Sequence, residues 1–191
     1  GTVSQEDCLC RASLLYPCIA QFKKAEDHFY QINNNDQYKY RNASKCAVFS
    51  PRVPVIREDN VQGRLLDNYY ECSFVSIPST DAFNVIKDLS SQSEHQENTH
   101  AHTRLKWQKI ERDISDRIFR ALSIFAEQGC TDLILTAFGC GAHGNDPYMV
   151  ASIFKQLITH EFKGCFRTVI FPIQRARPAN YEAFAFVFEA Y

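Results

Sequence analysis

The sequence predicts an α/β fold, and two observations support this prediction. Residues 133–147, LILTAFGCGAHGNDP, form an apolar strand that runs into a glycine-rich loop and then into a helix start. Apolar residues at helical spacing continue over residues 150–162, and a second apolar strand covers residues 166–173. A strand, a helix and a strand in this order form a β-α-β unit, whose strands are parallel. Because ligands of such sheets bind beyond the carboxyl ends of the strands, the glycine-rich loop is the first candidate site.

The N-terminal part of the chain is predicted to begin with two helices. The first covers residues 5–21 and begins after Ser4. It is expected to bend at Pro17, because proline lacks the N–H that a helix interior uses. The second helix covers residues 22–32 and ends in a run of three asparagines.

Three short strands are predicted to follow these helices. Residues 46–49 and 53–56 are apolar segments separated by Ser50-Pro51, and residues 70–77 form a longer strand that Pro78 ends. Proline ends or interrupts a strand because it cannot donate to the ladder of hydrogen bonds.

Residues 89–103, LSSQSEHQENTHAHT, are almost wholly polar and are predicted to form a surface loop. His95, His100 and His102 lie in this segment. Histidine is a common zinc ligand, but no flanking scaffold fixes the geometry of these three. The surface loop is therefore favoured over a metal site.

Two further helices complete the predicted elements. Residues 104–128 carry apolar side chains at helical spacing, and Gly129 is expected to end this helix. Residues 180–190, NYEAFAFVFEA, are predicted to form a closing helix, although their phenylalanine and valine content leaves a strand open.

Composition indicates one soluble domain over residues 1–191. The chain is 45% apolar, which is enough to bury one sizeable core. Its 21 lysines and arginines nearly balance its 22 aspartates and glutamates, so we expect no direct binding of DNA or RNA. No apolar run reaches the length of a membrane span, and we expect no association with a membrane.

Eight cysteines are scattered along the chain without C-x-x-C spacing. A chain of this length does not need disulfides to be stable, so we expect most of these cysteines to be reduced and buried. This favours the cytoplasm or another reducing compartment.

The pattern Gly139-x-Gly141-x-x-Gly144 lies between the predicted strand and helix, which is the context that an anion-binding loop requires. Glycine allows tight turns and close approach of the backbone to a ligand, so free N–H groups can face phosphate oxygens. The helix is expected to have Asn145 or Asp146 as its cap and Pro147 as its first residue. The alternative is a glycine-rich turn that only packs.

Neither of two common nucleotide folds fits this loop. A dinucleotide-binding fold places a carboxylate at the end of the strand after the glycines, but that strand ends in Ile173-Gln174-Arg175. A P-loop requires lysine and serine or threonine after its last glycine, where this chain has Asn145 and Asp146.

The N-terminal segment places an amide and two carboxylates, those of Gln5, Glu6 and Asp7, at a helix start. From these residues alone, a capping box between Ser4 and Asp7 is the favoured interpretation, because acidic residues suit the first turn of a helix. A catalytic carboxylate pair is the alternative.

Three blocks of the chain decide between these alternatives: residues 4–16, SQEDCLCRASLLY; residues 49–57, FSPRVPVIR; and residues 137–147, AFGCGAHGNDP. In order and spacing they resemble the microbial-type poly(ADP-ribose) glycohydrolase family, a branch of the macrodomains. The resemblance implies a three-layer α/β/α macrodomain-like fold with a mixed sheet that binds ADP-ribose. The family's glycine run and first strands would precede Gly1, so we expect this chain to lack them. We also expect the missing N-terminal segment of the same protein to be a partner of this chain.

The resemblance also implies the site residues. Asp7 would be the acid and then the base, and Glu6 would hydrogen-bond the ribose or the leaving group. The implied substrate-binding residues are Gln5, Gly139, Cys140, Gly141, Ala142, His143, Gly144, Asn145 and Phe171. Phe171 corresponds to an aromatic that packs on the ribose, although in isolation it is one of 15 phenylalanines and more typical of a core. Neither a cofactor nor a metal is implied.

The implied function is an ADP-ribosyl glycohydrolase that removes ADP-ribose from poly- or mono-ADP-ribosylated protein. The family has Gln-Glu-Glu where this chain has Gln5-Glu6-Asp7, so the second carboxylate is one methylene shorter. The alternatives are a macrodomain that binds ADP-ribose without cleaving it and a scaffold with an empty cleft. A separate nucleophile and base, Cys140 and His143, would need a geometry that adjacent loop residues rarely reach.

Overall fold

A computed structural model describes residues 4–23, 29–30, 46–58, 60, 62–90 and 99–189, and the side chains of these residues except 88–90 and 99–102. The described residues combine helices with one antiparallel and one parallel pair of strands. They divide into two compact units, one up to Pro78 and the other from Ser79 onwards. The expectation of one domain over residues 1–191 stays a prediction.

The first unit begins with helix α1, Gln5–Ala12, and helix α2, Leu15–Ala20, in place of the single helix predicted over residues 5–21. The predicted bend at Pro17 is wrong. Pro17 lies in the first turn of α2, where its missing N–H would have no helical partner anyway.

The break between the two helices lies at Ser13, whose backbone is extended and forms an isolated antiparallel bridge with Val55. The N–H of the next residue, Leu14, donates to the carbonyl of Pro54 over 3.0 Å. The Ser13 hydroxyl donates to the carbonyl of Leu9 and accepts from the N–H of Leu15. Contacts with a distant strand therefore end α1, and its own sequence does not.

Strand β1, Val48–Arg57, pairs antiparallel with strand β2, Leu65–Ser76. The two segments predicted on either side of Ser50-Pro51 are one strand. The register shifts between Ser50 and Val53, and Arg52 has a φ of 47°. A bulge of this kind lets a strand continue past residues that do not fit the ladder. The second helix predicted over residues 22–32 falls mostly outside the described residues.

The second unit contains α3, Ala82–Ser90; α4, Thr99–Glu127; β3, Asp132–Ile134; α5, Pro147–Thr159; β4, Thr168–Ile170; and α6, Pro178–Glu189. Strands β3 and β4 are parallel, which confirms the predicted β-α-β unit, although both strands are shorter than predicted. The closing helix is confirmed as α6.

The polar loop predicted over residues 89–103 is wrong at both ends. Residues 89–90 belong to α3, and residues 99–103 already belong to α4. Helix propagation from the apolar, well-packed parts of α3 and α4 accounts for both extensions, because each added residue gains a backbone hydrogen bond. His95 lies outside the described residues, as do the side chains of His100 and His102.

The core of the second unit is formed by one face of α4 and by α5. The buried residues of these helices are Ile110, Ile114, Ile118, Leu122, Val150, Ala151, Ile153, Phe154 and Leu157. Their spacing in α4 is the helical period predicted from the sequence. No helix among the described residues is long and apolar enough to cross a membrane.

None of the eight cysteines, all of which lie among the described residues, forms a disulfide, as expected, but none is fully buried either, and Cys46 and Cys165 are exposed. The expectation that most of them are buried is therefore wrong. Four of them pack against a core cluster but remain partly exposed: Cys10, Cys18, Cys130 and Cys140.

Candidate anion-binding loop and carboxylate segment

The glycine-rich loop lies between β3 and α5, and two of its three glycines are required by its own conformation. Gly139 has a φ of 70° and Gly144 a φ of 64°, in the left-handed region that side chains with a Cβ rarely adopt. A Cβ on Gly139 would overlap Ser79 Oγ and Asn145 Nδ2, and one on Gly144 would overlap the ring of Phe83. These two glycines therefore serve packing within the unit.

Asn145 holds the loop from within. Its side chain is buried, and Nδ2 donates to Ser79 Oγ over 3.1 Å, to the Thr80 carbonyl over 2.8 Å and to the Gly139 carbonyl over 3.0 Å. Its Oδ1 is buried without a donor among the described residues, so the amide holds the loop through its donor side alone. The implied role of Asn145 in binding substrate stays a prediction.

A buried arginine contacts Thr80, whose carbonyl also accepts a hydrogen bond from Asn145. Arg117 on α4 is 3% exposed, and its Nε donates to Thr80 Oγ1 over 3.2 Å. Burial lowers the pKa of Arg117 from its ordinary value, and the neighbouring Asp113 opposes this effect. Arginine nevertheless stays protonated in proteins. A positive charge therefore lies beside Thr80, which is hydrogen-bonded to Asn145 of the loop.

Three consecutive backbone amides of the loop are open. The N–H groups of Cys140, Gly144 and Asn145 donate within the loop. Those of Gly141, Ala142 and His143 donate no hydrogen bond to any described residue, and all three residues are exposed. Successive free N–H groups in a turn form a concave site for an anion.

An arginine that the sequence did not single out lies beside these amides. Nη1 of Arg177 is 3.4 Å from the position that a Cβ on Gly141 would occupy. Arg177 is exposed and directly precedes α6. Gly141 is therefore the glycine of the motif whose open side meets a positive charge, which suits a phosphate group.

The start of α5 agrees with the prediction. Asp146 is the cap and accepts from the N–H of Met149 over 3.0 Å, and Pro147 is the first helical residue. The Asp146 side chain thus already accepts from one of the backbone N–H groups at this helix end. Attraction for an anion must come mainly from the loop amides and Arg177.

Cys140 does not have the surroundings of a nucleophile. Its thiol donates to the carbonyl of Phe138, and burial, with a smaller effect of Asp146, raises the pKa of Cys140 to about 12. A thiol is a nucleophile only as its thiolate, which this environment disfavours at neutral pH.

We expect Cys140→Ala to keep turnover within about twofold, because the thiol takes no part in proton transfer. Alkylation of the wild-type protein at pH 7, followed by mass spectrometry, should modify exposed Cys165 long before Cys140. Since burial raises the pKa of Cys140, the rate of its alkylation should keep rising throughout the alkaline range and should level off only near pH 12. Near-total loss of turnover in Cys140→Ala would instead support a thiol mechanism.

Phe171 belongs to an aromatic cluster of the second unit. Its ring centroid lies 5.2 Å from that of Phe154, 5.1 Å from that of Phe184 and 5.0 Å from that of Phe188. The ring is nevertheless partly exposed. Its core role is therefore evident, and its implied contact with a ribose stays a prediction.

In the first unit, Asp7 forms the capping box that the spacing predicts. Its Oδ2 accepts from the N–H of Ser4 over 3.1 Å and from the Ser4 hydroxyl over 2.7 Å, while the N–H of Asp7 donates to Ser4 Oγ. Gln5 and Asp7 are exposed. The capping role does not exclude a catalytic one, since an exposed carboxylate can exchange partners.

Glu6, the neighbour of Asp7, has different partners. Its Oε1 accepts from the hydroxyl of Tyr30 over 2.8 Å and from that of Ser76 over 3.0 Å. Burial, and then the hydrogen bond to Glu6, raise the pKa of Tyr30 well above its ordinary value. The sequence did not single out Tyr30 or Ser76, because they lie 24 and 70 residues from Glu6.

Comparisons with known proteins define the class of this chain as a macrodomain-like α/β protein. The structure of poly(ADP-ribose) glycohydrolase from Deinococcus radiodurans in complex with ADP-ribose matches with a TM-score of 0.78 and 28% identity, over 100% of this chain and 69% of that one. The enzyme from Thermomonospora curvata matches with a TM-score of 0.77 and 30% identity, over 98% and 61%. Its complex with the inhibitor ADP-HPD matches with a TM-score of 0.76 and 29% identity, over 98% and 63%.

The family model described as microbial-type PARG, catalytic domain, matches residues 1–58. A comparison with curated proteins finds no match. The chain is similar to the microbial-type poly(ADP-ribose) glycohydrolases, so the resemblance stated from the three sequence blocks is confirmed. The mixed α/β fold implied by that resemblance is confirmed as well.

Proposed function

We propose that this protein is an ADP-ribosyl glycohydrolase, which binds a diphosphate at the glycine-rich loop and cleaves a ribosyl bond with carboxylates of α1. The single observation that carries the proposal is the row of open amides at Gly141, Ala142 and His143 beside Arg177. The bound ADP-ribose in the related Deinococcus radiodurans structure supports the choice of ligand.

The loop would supply binding energy away from the reacting bond. Its three open N–H groups and the Arg177 guanidinium provide donors for the diphosphate oxygens. Because Asn145 and the two left-handed glycines fix the loop, little conformational entropy would be lost on binding. Binding energy at a remote group can then orient the anomeric carbon for reaction.

The proposed reaction is hydrolysis at the anomeric carbon. Asp7 donates a proton to the leaving oxygen as the bond from that oxygen to the anomeric carbon breaks, and the ribose passes through an oxocarbenium-like state. Water then attacks this carbon and gives a proton to the Asp7 carboxylate, which restores the acid. Glu6 hydrogen-bonds a ribose hydroxyl, and Gln5 helps to fix the segment.

We propose ADP-ribosylated protein as the partner and a reducing compartment, such as the cytoplasm, as the location. The eight cysteines, which all lie among the described residues and form no disulfide, support the second point. The near balance of charges supports the expectation that the chain does not bind DNA or RNA directly.

A macrodomain that binds ADP-ribose without cleaving it is the second candidate, favoured by one observation. The Asp7 carboxylate accepts hydrogen bonds from the N–H and the hydroxyl of Ser4, so it already serves the start of α1. The chain would then bind ADP-ribose at the glycine-rich loop, and the carboxylates of α1 would not cleave it.

The deciding experiment measures binding and cleavage side by side. ADP-ribose should raise the melting temperature of the wild-type protein, and incubation with ADP-ribosylated protein should release ADP-ribose. A thermal shift without release would support the second candidate. If ADP-ribose caused no thermal shift and no ADP-ribose were released, both proposals would be rejected. A scaffold with an empty cleft would then remain.

We expect Arg177→Gln to weaken ADP-ribose binding about tenfold, because a charge-assisted hydrogen bond to a phosphate is lost. Titration calorimetry at two salt concentrations should show a smaller salt dependence in the variant. Arg175→Gln is the matched control, since the guanidinium of Arg175 lies over the ring of Tyr181, 5.4 Å from its centroid. Equal affinities of wild type and Arg177→Gln would remove Arg177 from the diphosphate site.

A further inference from the structure

Glu6 is held at one oxygen only. Its Oε1 accepts hydrogen bonds from two hydroxyls, those of Tyr30 and Ser76. Its Oε2 accepts no hydrogen bond from the described residues. Glu6 as a residue is only partly buried, so this second oxygen remains available to a ligand.

The two donors come from separate and well-packed parts of the first unit. Ser76 is the last residue of β2. Tyr30 packs edge-to-face on Phe29, with ring centroids 5.0 Å apart, and contacts the apolar cluster that contains Leu15 and Ile19. Two fixed donors on different elements restrict the rotamer of Glu6 far more than one flexible partner would.

The chemistry of the donors suits a permanent role. The raised pKa of Tyr30 means that its hydroxyl keeps its proton throughout the working range of pH, so Tyr30 remains a donor. The serine hydroxyl also keeps its proton, so both residues remain donors to Oε1 of Glu6.

We propose that Tyr30 and Ser76 are positioning residues, which fix Oε1 of Glu6 and thereby present Oε2 to a hydroxyl of the ribose. The inference rests on the proposed function and extends it to two residues that the family resemblance does not name. The hydrogen bond from Glu6 to the ribose then forms in one orientation, which helps to align the anomeric carbon. In this proposal Tyr30 and Ser76 act through Glu6 and not by direct contact with the substrate.

The test compares Tyr30→Phe and Ser76→Ala with wild type in kcat and KM for release of ADP-ribose. We expect kcat to fall about 10- to 100-fold in each variant, the cost of one hydrogen bond to a charged group, with KM changed by less than about threefold. Ser76→Thr keeps a hydroxyl and should restore most of kcat. Tyr70→Phe and Ser73→Ala, on the same strand as Ser76, are the matched controls and should leave kcat unchanged.

A purely structural role is distinguished by repeating both substitutions in Glu6→Gln. Glutamine keeps an acceptor for the two hydroxyls but lacks the carboxylate, so a residue that acts through Glu6 should change the residual kcat by less than about threefold in this background. An equal fall of kcat in both backgrounds would overturn the inference, as would unchanged kcat in the single variants. If the wild-type protein releases no ADP-ribose, the proposed function fails and the inference fails with it.

Discussion

Gly139→Ala is expected to abolish ADP-ribose binding and to lower the free energy of unfolding by about 2 to 4 kcal/mol. A left-handed backbone costs an alanine about 1 to 2 kcal/mol, and overpacking adds a similar amount. The new Cβ would also overlap Asn145 Nδ2, whose three hydrogen bonds hold the loop. Urea unfolding gives the loss of stability, and calorimetry gives the loss of binding.

Gly129→Ala is the matched control for this prediction. Gly129 has a φ of 71°, almost the same as Gly139, but a Cβ there would meet nothing within 4 Å. This variant should lose only about 1 to 2 kcal/mol of stability and should bind ADP-ribose normally. If the two variants behaved alike, the packing of Ser79 and Asn145 against Gly139 would have no role in the loop.

Elements with local signals could be predicted from the sequence. Asp146 and Pro147 mark the start of α5 because a cap and a first-turn proline act within a few residues. The period of the apolar residues in α4 likewise depends only on the helix itself. The capping box of Ser4 and Asp7 is another such signal.

Elements that depend on distant contacts could not be predicted. The break at Ser13 exists because Val55 and Pro54 pair with this part of the chain. The continuity of β1 past Pro51 depends on a bulge that the pairing with β2 maintains. Propensity within a short window carries no information about either partner.

The same distinction applies to the candidate site. The glycine motif identifies the loop, but its spacing does not say that Gly139 and Gly144 serve packing while Gly141 is the open one. Arg177 and Tyr30 could not be identified from the sequence, because the fold brings each of them to a residue far away in the chain. Arg177 lies 36 residues from Gly141, and Tyr30 lies 24 residues from Glu6. Long separations of this kind leave no pattern in the sequence.

Asp7→Asn is expected to lower turnover at least about 100-fold while ADP-ribose affinity changes by less than about threefold. An amide of the same size cannot deliver or accept the proton, and general acid–base catalysis typically contributes 10²- to 10⁴-fold. The amide oxygen can still accept from the N–H of Ser4, so the start of α1 should survive. Single-turnover release of ADP-ribose, measured with calorimetric binding on the same preparation, tests both halves of the prediction.

Ser4→Ala separates the capping role of Asp7 from its chemistry. It removes both hydrogen bonds of the Ser4 hydroxyl and should cost about 1 kcal/mol of stability, yet it keeps the carboxylate and should keep turnover. Asp7→Glu adds one methylene to the side chain and therefore extends the reach of its carboxylate. Because about 1 Å of misplacement can cost about 100-fold in rate, a carboxylate one methylene short should gain activity from this change. Unchanged turnover in Asp7→Asn would assign Asp7 to the capping box alone.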